Sequence, residues 1–254
     1  MPVGFIAISS PLNRCLHCLD EPVTDFFRFP HTPHLAWLGE GSPRDDKVLS
    51  PSEVTALLAS DVVVEEKLDG ANVGLSLTTD GGLRAQNRGQ YLAAPHAGQF
   101  ARLPTWLAQH GEGLRAMLTP NLIIFGEWCA ARHSLDYAAL PDWFLLFDVY
   151  DRSAARFWSS TRRNVLANSA GLVTAQTVLH GKTTLTALKQ LVAKKQSHYR
   201  QGPLEGVVIR RESADWCNAR AKLVRPDFTQ VIDTHWRKRA IEWNRIINPS
   251  GIPE

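Results

Sequence analysis

Five apolar, strand-like segments of this sequence each carry ionisable residues inside them or at their mouths: KLDG (residues 67–70), FGEW (125–128), FLLFDVYD (144–151), LEGVVIR (204–210) and ARAKLV (219–224). An ionisable group is costly to bury unless it is paired or used. One such case is met by a buried ion pair. Five of them, each flanked by β-branched or aromatic residues, call for a polar groove shared between strands. That requirement limits the fold more than any other feature of the chain.

The rest of the secondary structure follows from periodicity. VEEKLDGANVGLSL (64–77) reads as strand, sharp turn and strand, a β-hairpin with the Lys67 amine and the Asp69 carboxylate at its mouth. TDGG (79–82) marks a second hairpin turn, into LRAQNRGQY. NLIIFGEW, WFLLFDVYD, LEGVVIRRE and NARAKLVR are further strands. SPSEVTALLAS reads as a helix opened by Ser50 as N-cap, with Pro51 in the first turn and Glu53 three residues after the cap. Helices are also predicted over 99–110, 114–118, STRRNVLANSA and TLTALKQLVAKKQSH. A last helix over 227–247 has a basic face of Arg237, Lys238 and Arg239, with Trp236 and Trp243 sharing another face. Strands and helices mix without steady alternation, so an α+β fold is favoured over a doubly wound sheet. The organisation expected is an N-terminal arm and accessory segment (1–60), a core (61–225) and a short basic tail (226–254).

Composition bounds the class. The chain has 254 residues, 44% of them hydrophobic, enough for a substantial core. No stretch approaches 18 apolar residues, so no membrane partner is expected. The start lacks a basic residue run followed by an apolar one, against a secretory signal. Four scattered cysteines read as free thiols, hence a cytoplasmic location, with Cys129 and Cys217 buried. A net charge of +3 suits a polyanionic partner without demanding one. Cys15, Cys18, His31 and His34 form C-x2-C and H-x2-H, a zinc-like pattern whose second spacing is shorter than usual. Free thiols on an arm, with histidines that pack or bind a polyanionic partner, are the favoured reading.

The groove suggests its own chemistry. A lysine is a nucleophile once burial or nearby cations lower its pKa. Arg220 and Lys222 lie on one face of their strand and supply such cations. Glu127 and Glu205 are suited to a divalent metal or to ribose hydroxyls. Phe147 offers a shelf for a flat base. Together these fit attack by Lys67 on the α-phosphate of a nucleoside triphosphate.

In order and spacing the five segments closely resemble the motifs of the covalent nucleotidyltransferases, the polynucleotide ligases and mRNA capping enzymes. KLDG resembles motif I, Glu127 motif III, FLLFDVYD motif IIIa, LEGVVIR motif IV and Lys222 motif V. EKLDGANVGL is similar to the extended motif I of ATP-dependent RNA ligases of the RNA ligase 2 type, and RFPHTPHLAWLG to an upstream segment of bacterial members. The resemblance implies an ATP-grasp-like adenylation domain of mainly antiparallel sheets flanked by helices. It implies ATP and a divalent metal, Mg or Mn, as cofactors. The implied reaction has three steps: lysyl-AMP on Lys67, AMP transfer to an RNA 5′-phosphate, and sealing by a 3′-hydroxyl.

The resemblance also assigns roles. Asn72 organises the hydrated metal and Glu205 contacts it; Glu127 binds the ribose; Phe147 stacks on adenine with Val207 or Ile209 opposite. Lys222 contacts the α-phosphate, Arg88 serves the RNA end, and Glu66 joins the nucleotide-binding set. Asp69 positions the turn and the reacting phosphate, and Gly70 allows close backbone approach. Two departures stand out. Arg220 occupies a position where such enzymes often carry lysine. About 30 residues follow motif V, too few for an OB domain or a helical domain. RNA is then gripped by the core, the N-terminal 60 residues, the basic tail or a separate protein, such as an end-healing kinase or phosphatase. The alternatives are a minimal DNA or nick ligase, and an adenylate-binding module that needs a partner to seal.

Overall fold

The stretch 64–77 is not a hairpin. Its strands, β1 (Val62–Lys67) and β2 (Ala71–Leu77), lie in different sheets, so Lys67 stands where the chain crosses from one sheet to the other. The alternation that marks both strands says which face is buried and nothing about the pairing partner. The computed structural model describes residues 26–43, 46–231 and 240–247.

The first sheet has the order β10-β9-β1-β8, with β8 at Thr177–Gly181, β9 at Gly206–Glu212 and β10 at Cys217–Val224; its pairs are antiparallel. The second has the order β3-β2-β4-β5-β6, also antiparallel, with β3 at Leu83–Gln86, β4 at Leu122–Trp128, β5 at Phe144–Asp151 and β6 at Arg156–Phe157. A two-residue strand, β7 (Val173–Thr174), joins β5 in parallel. The fold is α+β, as the mixed pattern required. Strands β6, β7 and β8 have no counterpart among the sequence expectations.

Helices cover the outer faces. α1 (Pro51–Leu58) opens with a complete capping box: Ser50 Oγ accepts from the Glu53 N–H at 3.3 Å, and the Glu53 carboxylate accepts from the Ser50 N–H at 2.8 Å. The expected pair of helices over 99–118 is one helix, α2 (Leu103–Met117), that runs through Gly111 and Gly113. Gly113 earns its place by packing: a Cβ there would stand 3.1 Å from the carbonyl oxygen of Ala170, at the end of α3 (Ser160–Ala170). α4 is Leu185–Lys194 and α5 is Pro226–Val231. The expected 227–247 helix is not continuous. Residues 240–247 are extended and bridge Ala131 through Trp243 and Leu140 through Ile246. Trp236, Arg237, Lys238 and Arg239 lie outside the described residues.

Two apolar layers result. Val73, Leu75, Ile124, Phe144 and Leu146 of the second sheet pack with Trp106 and Leu114 of α2 and Leu166 and Ala167 of α3. Val62, Val64, Val207, Ile209, Ala221 and Leu223 of the first sheet pack with Leu57 of α1 and Leu188 and Val192 of α4. The polar groups of the strands are left for the space between the sheets. Among the described residues no helix is long and apolar enough to cross a membrane.

Candidate functional site

A cavity of about 550 Å³ lies at this crossing, lined by both sheets. Lys67, Glu66, Asn72, Arg88, Glu127, Phe147, Arg220 and Lys222 all reach it, and Glu205, which does not line it, contacts Lys67. The five strand segments therefore converge. Three of the singled-out residues stand elsewhere. Val207 is fully buried against α1 and α4 on the far face of its sheet, as is Ile209, while Val208 lines the cavity. The period-two alternation of β9 leaves no other outcome once Arg210 faces inward. Asp69 does not line the cavity either. Its carboxylate accepts from the N–H groups of Ser134 (2.7 Å) and Leu135 (2.8 Å).

The amine of Lys67 is not poised as a neutral nucleophile. Its Nζ sits 2.6 Å from Glu205 Oε1. Burial alone would lower its pKa, but Glu205, Glu127 and Asp69 outweigh burial and hold it above the ordinary lysine value. Cations from Arg220 and Lys222 do not achieve the expected lowering, because Arg220 is bound to Asp148 and Lys222 to Asp46. Burial pushes the carboxyl of Glu205 up to about 8 and that of Glu127 to about 7, with Lys67 opposing both. Glu127 Oε1 accepts from the Gly70 N–H at 3.0 Å. A Cβ on Gly70 would fall 2.5 Å from the Trp128 carbonyl oxygen, so this crossing needs glycine for close approach.

A carboxyl whose folded pKa is raised binds more protons in the folded than in the unfolded state. It weakens the fold as pH rises from its unfolded value of 4.5 through about 7. Glu127→Gln retains the acceptor for Gly70 and removes this penalty. The variant should match the parent in stability below pH 4.5 and exceed it by about 1–2 kcal/mol above pH 7, with screening of a half-buried group allowed for, as urea denaturation over a pH series would show.

Phe147 reaches the cavity because of a β-bulge. Phe125 pairs with Asp148 and Gly126 with Leu146, which leaves Phe147 as the extra residue. The bulge turns Phe147 and Asp148 both inward and frees the Phe147 carbonyl from the ladder. Two buried arginines take that carbonyl: Arg163 Nη1 at 2.7 Å and Arg210 Nη1 at 3.3 Å. Arg163 also pairs with Glu65 at 2.6 Å, and Arg210 with Asp148 at 2.7 Å and Glu212 at 2.6 Å. Arg220 completes the group by pairing with Asp148, its guanidinium 4.6 Å from the Phe29 ring centre and 4.1 Å from that of Phe157. Arg220 is thus held to Asp148.

Lys222 is joined to Asp46. Burial lowers its pKa, against the pull of Asp46. The upstream segment brings Asp46 there by running beside β10: Pro33 O accepts from Lys222 N–H, and Leu35 N–H donates to Lys222 O. The same segment supplies Phe29, packed edge-on to Phe147 at 5.4 Å. His31 Nδ1 lies 2.8 Å from Asp46, and His34 Nε2 lies 3.8 Å from it. Burial, with Lys222 nearby, pushes the pKa of His34 down to about 4. Both histidines thus face Asp46; Cys15 and Cys18 lie outside the described residues. Cys129 is buried and Cys217 half-buried, with burial raising both thiols.

Sequence reading missed Glu65, Asp148, Arg163, Arg210 and Asp46. Arg163 had a signal: it shares the helical face of Leu166, Ala167 and Ala170, a charged residue at a core position. Asp46, in a loop, had none.

Among the described residues nine buried side-chain polar atoms have no hydrogen-bond partner, and three of them belong to residues at or beside the cavity: Asn72 Oδ1, Arg88 Nε and Glu205 Oε2. Such atoms are costly to leave unmade. Two of these three are oxygen acceptors suited to a hard cation, and one is a guanidinium donor suited to a phosphate oxygen. No preassembled group of three acidic, histidine or cysteine ligands exists among the described residues.

The sequence pattern of the RNA ligase family matches residues 60–224. No curated protein sequence matches the chain. Among solved structures, an archaeal ATP-dependent RNA ligase is 23% identical with a TM-score of 0.56, over 78% of this chain and 48% of that one. A Naegleria gruberi RNA ligase mutant with ATP and Mn is 16% identical with a TM-score of 0.54, over 70% and 54%. The Naegleria gruberi RNA ligase with PPi is 18% identical with a TM-score of 0.52, over 74% and 55%. The likeness is one of fold, and the chain spans about half the length of these proteins.

Proposed function

The chain belongs to the RNA ligase family, and we propose that it is an ATP-dependent RNA ligase working through a lysyl-AMP on Lys67. The observation that carries this reading is the convergence at one cavity of the Lys67 amine with the unpartnered Asn72 Oδ1 and Arg88 Nε, the amine being held by Glu205, whose second oxygen is also unpartnered. In the first step Lys67 Nζ, having lost its proton, attacks the α-phosphorus of ATP. An N–P bond forms and pyrophosphate leaves. AMP then passes to a 5′-phosphate of RNA, and a 3′-hydroxyl attacks the activated end with release of AMP. Each step is a displacement at phosphorus, in which positioning and charge neutralisation carry most of the rate.

The chain's own groups divide this work. Phe147 stacks on adenine with Val208 opposite, in place of the expected Val207. Glu127 binds the ribose hydroxyls. Lys222, released from Asp46, contacts the α-phosphate, and Arg88 takes a phosphate of the RNA end. Glu205 Oε2 and the Asn72 amide oxygen, directly or through water, are the groups to hold Mg or Mn, which supplies charge neutralisation at phosphate oxygens and offsets the carboxylates that keep Lys67 protonated. Asp69 acts through the 134–135 backbone. Arg220, bound to Asp148, and Glu66, whose carboxylate accepts from Ser197 Oγ at 2.6 Å and His198 N–H at 2.9 Å, shape the cavity wall. An end-healing kinase or phosphatase is a fitting source of the 5′-phosphate and 3′-hydroxyl ends.

The substrate assignment is tested by offering 5′-phosphorylated RNA and DNA of one sequence, nicked and single-stranded, with ATP and either metal. RNA sealing is expected. Sealing confined to DNA would overturn the assignment while leaving the lysyl-AMP intact.

A further inference from the structure

Beyond residue 224, where the family match ends, one side chain is wired to the motif around Lys67. Asn244 is 4% exposed and spends its whole amide on the loop that follows Glu127. Its Oδ1 accepts from the Tyr137 N–H at 2.8 Å, and its Nδ2 donates to the Cys129 carbonyl at 2.8 Å and to that of Ala131 at 3.4 Å. Its backbone N–H adds a bond to Ala130 O at 2.9 Å. One residue therefore ties together both ends of the loop 129–137, which otherwise spans several residues with no regular structure. Closing a loop at its base removes most of its freedom.

That loop in turn holds the crossing. The hydroxyl of Tyr137 accepts from the Asp69 N–H at 2.8 Å, and the Asp69 carboxylate takes the N–H groups of Ser134 and Leu135. Asp69 lies two residues from Lys67 and next to Gly70, whose N–H bonds Glu127. The path from Asn244 to Lys67 thus runs through Tyr137 and Asp69, with no contact to the cavity itself. Neighbouring bonds hold the strap in place: Arg132 N–H to Glu242 O at 2.8 Å, Leu140 N–H to Arg245 O at 3.1 Å and Ile247 N–H to Leu140 O at 2.8 Å.

We infer that Asn244 is a positioning residue for the adenylylation of Lys67, setting the angle and reach of the amine through Tyr137 and Asp69. It rests on the lysyl-AMP reading. A positioning residue lowers the rate of the step at saturating substrate and leaves substrate binding alone.

The test uses the full chain with Asn244→Ala, Asn244→Asp, Tyr137→Phe and the Asn244→Ala/Tyr137→Phe double variant. Asn244→Asp keeps the acceptor for Tyr137 N–H and loses the donors to Cys129 and Ala131. Adenylylation of Lys67 at saturating ATP should fall roughly tenfold to a hundredfold in Asn244→Ala, with half-saturation by ATP changed less than about twofold. The double variant should lose little more than the worse single variant, because both act on one path. Amide hydrogen exchange should speed up at residues 69, 134, 135 and 137. Three results would overturn the inference: a rate loss equal to the loss of folded protein, a weakened ATP half-saturation with an intact rate, or multiplicative losses in the double variant. A parent protein that takes no AMP would instead overturn the proposed function, while accelerated exchange would still report the strap.

Discussion

Arg210→Met should destabilise the protein by about 3–5 kcal/mol, a large part of the 5–15 kcal/mol typical of a folded domain. Arg210 is 1% exposed and donates to Asp148, Glu212, the Trp158 carbonyl at 3.1 Å and the Phe147 carbonyl. With Arg163 and Arg220 it balances Glu65, Asp148 and Glu212, three cations against three anions at the wall of the cavity, with Arg163, Arg210, Glu65 and Asp148 almost wholly buried. Taking away one cation leaves a buried carboxylate in excess, and that uncompensated charge is the source of the cost. Methionine fills similar volume, so packing contributes little to the loss. Arg210→Lys should recover only part of it, because an ammonium cannot reach several acceptors as a planar fork does. Denaturant midpoints for the three proteins measure this. A loss below about 1 kcal/mol in Arg210→Met would mean that the network is not a net support of the fold.

Glu205→Ala should lower the rate of lysyl-AMP formation by roughly a hundredfold to a thousandfold, the scale of the several kcal/mol that a positioned metal contributes to charge stabilisation. One oxygen of Glu205 holds Lys67 and the other is buried without a partner, so a single side chain orients the amine and presents a free donor to a cation. Glu205→Gln separates these duties. Its amide oxygen can still accept from Lys67, but it is a far poorer ligand for Mg or Mn. A large loss in both variants, relieved in neither by raising the metal concentration modestly, is the expected result. Full activity in Glu205→Gln would assign the metal to other oxygens.

Much of this site was legible in the sequence. The physical reason is that charged residues inside apolar strands have few places to go, and Lys67, Glu127, Glu205, Arg220 and Lys222 could be satisfied only together. Alternation placed Arg220 and Lys222 on one face; the structure adds that they pair across the strands with Arg210 and Val208. The failures are equally physical. Residues 64–77 carry a strand pattern on each side of a three-residue turn, which fits a hairpin as well as a crossing between sheets. Val207 was preferred to Val208 because the inward phase of β9 is fixed by its neighbours in the sheet. The bulge at Phe147 depends on a pairing between β4 and β5 that no local pattern encodes. Asp46 and Asn244 act from loops on distant parts of the chain. The expected lowering of the Lys67 pKa failed because the cations counted on were already bound to Asp46 and Asp148.

The central claim is that Lys67 takes AMP. The direct measurement is to incubate the protein with α-labelled ATP and Mg or Mn, digest it, and locate the label by mass spectrometry, with Lys67→Ala alongside. The account predicts an acid-labile AMP adduct on the peptide containing Lys67, pyrophosphate released with it, and no adduct in Lys67→Ala. An unlabelled parent protein with either metal, or a label that survives in Lys67→Ala, would contradict it.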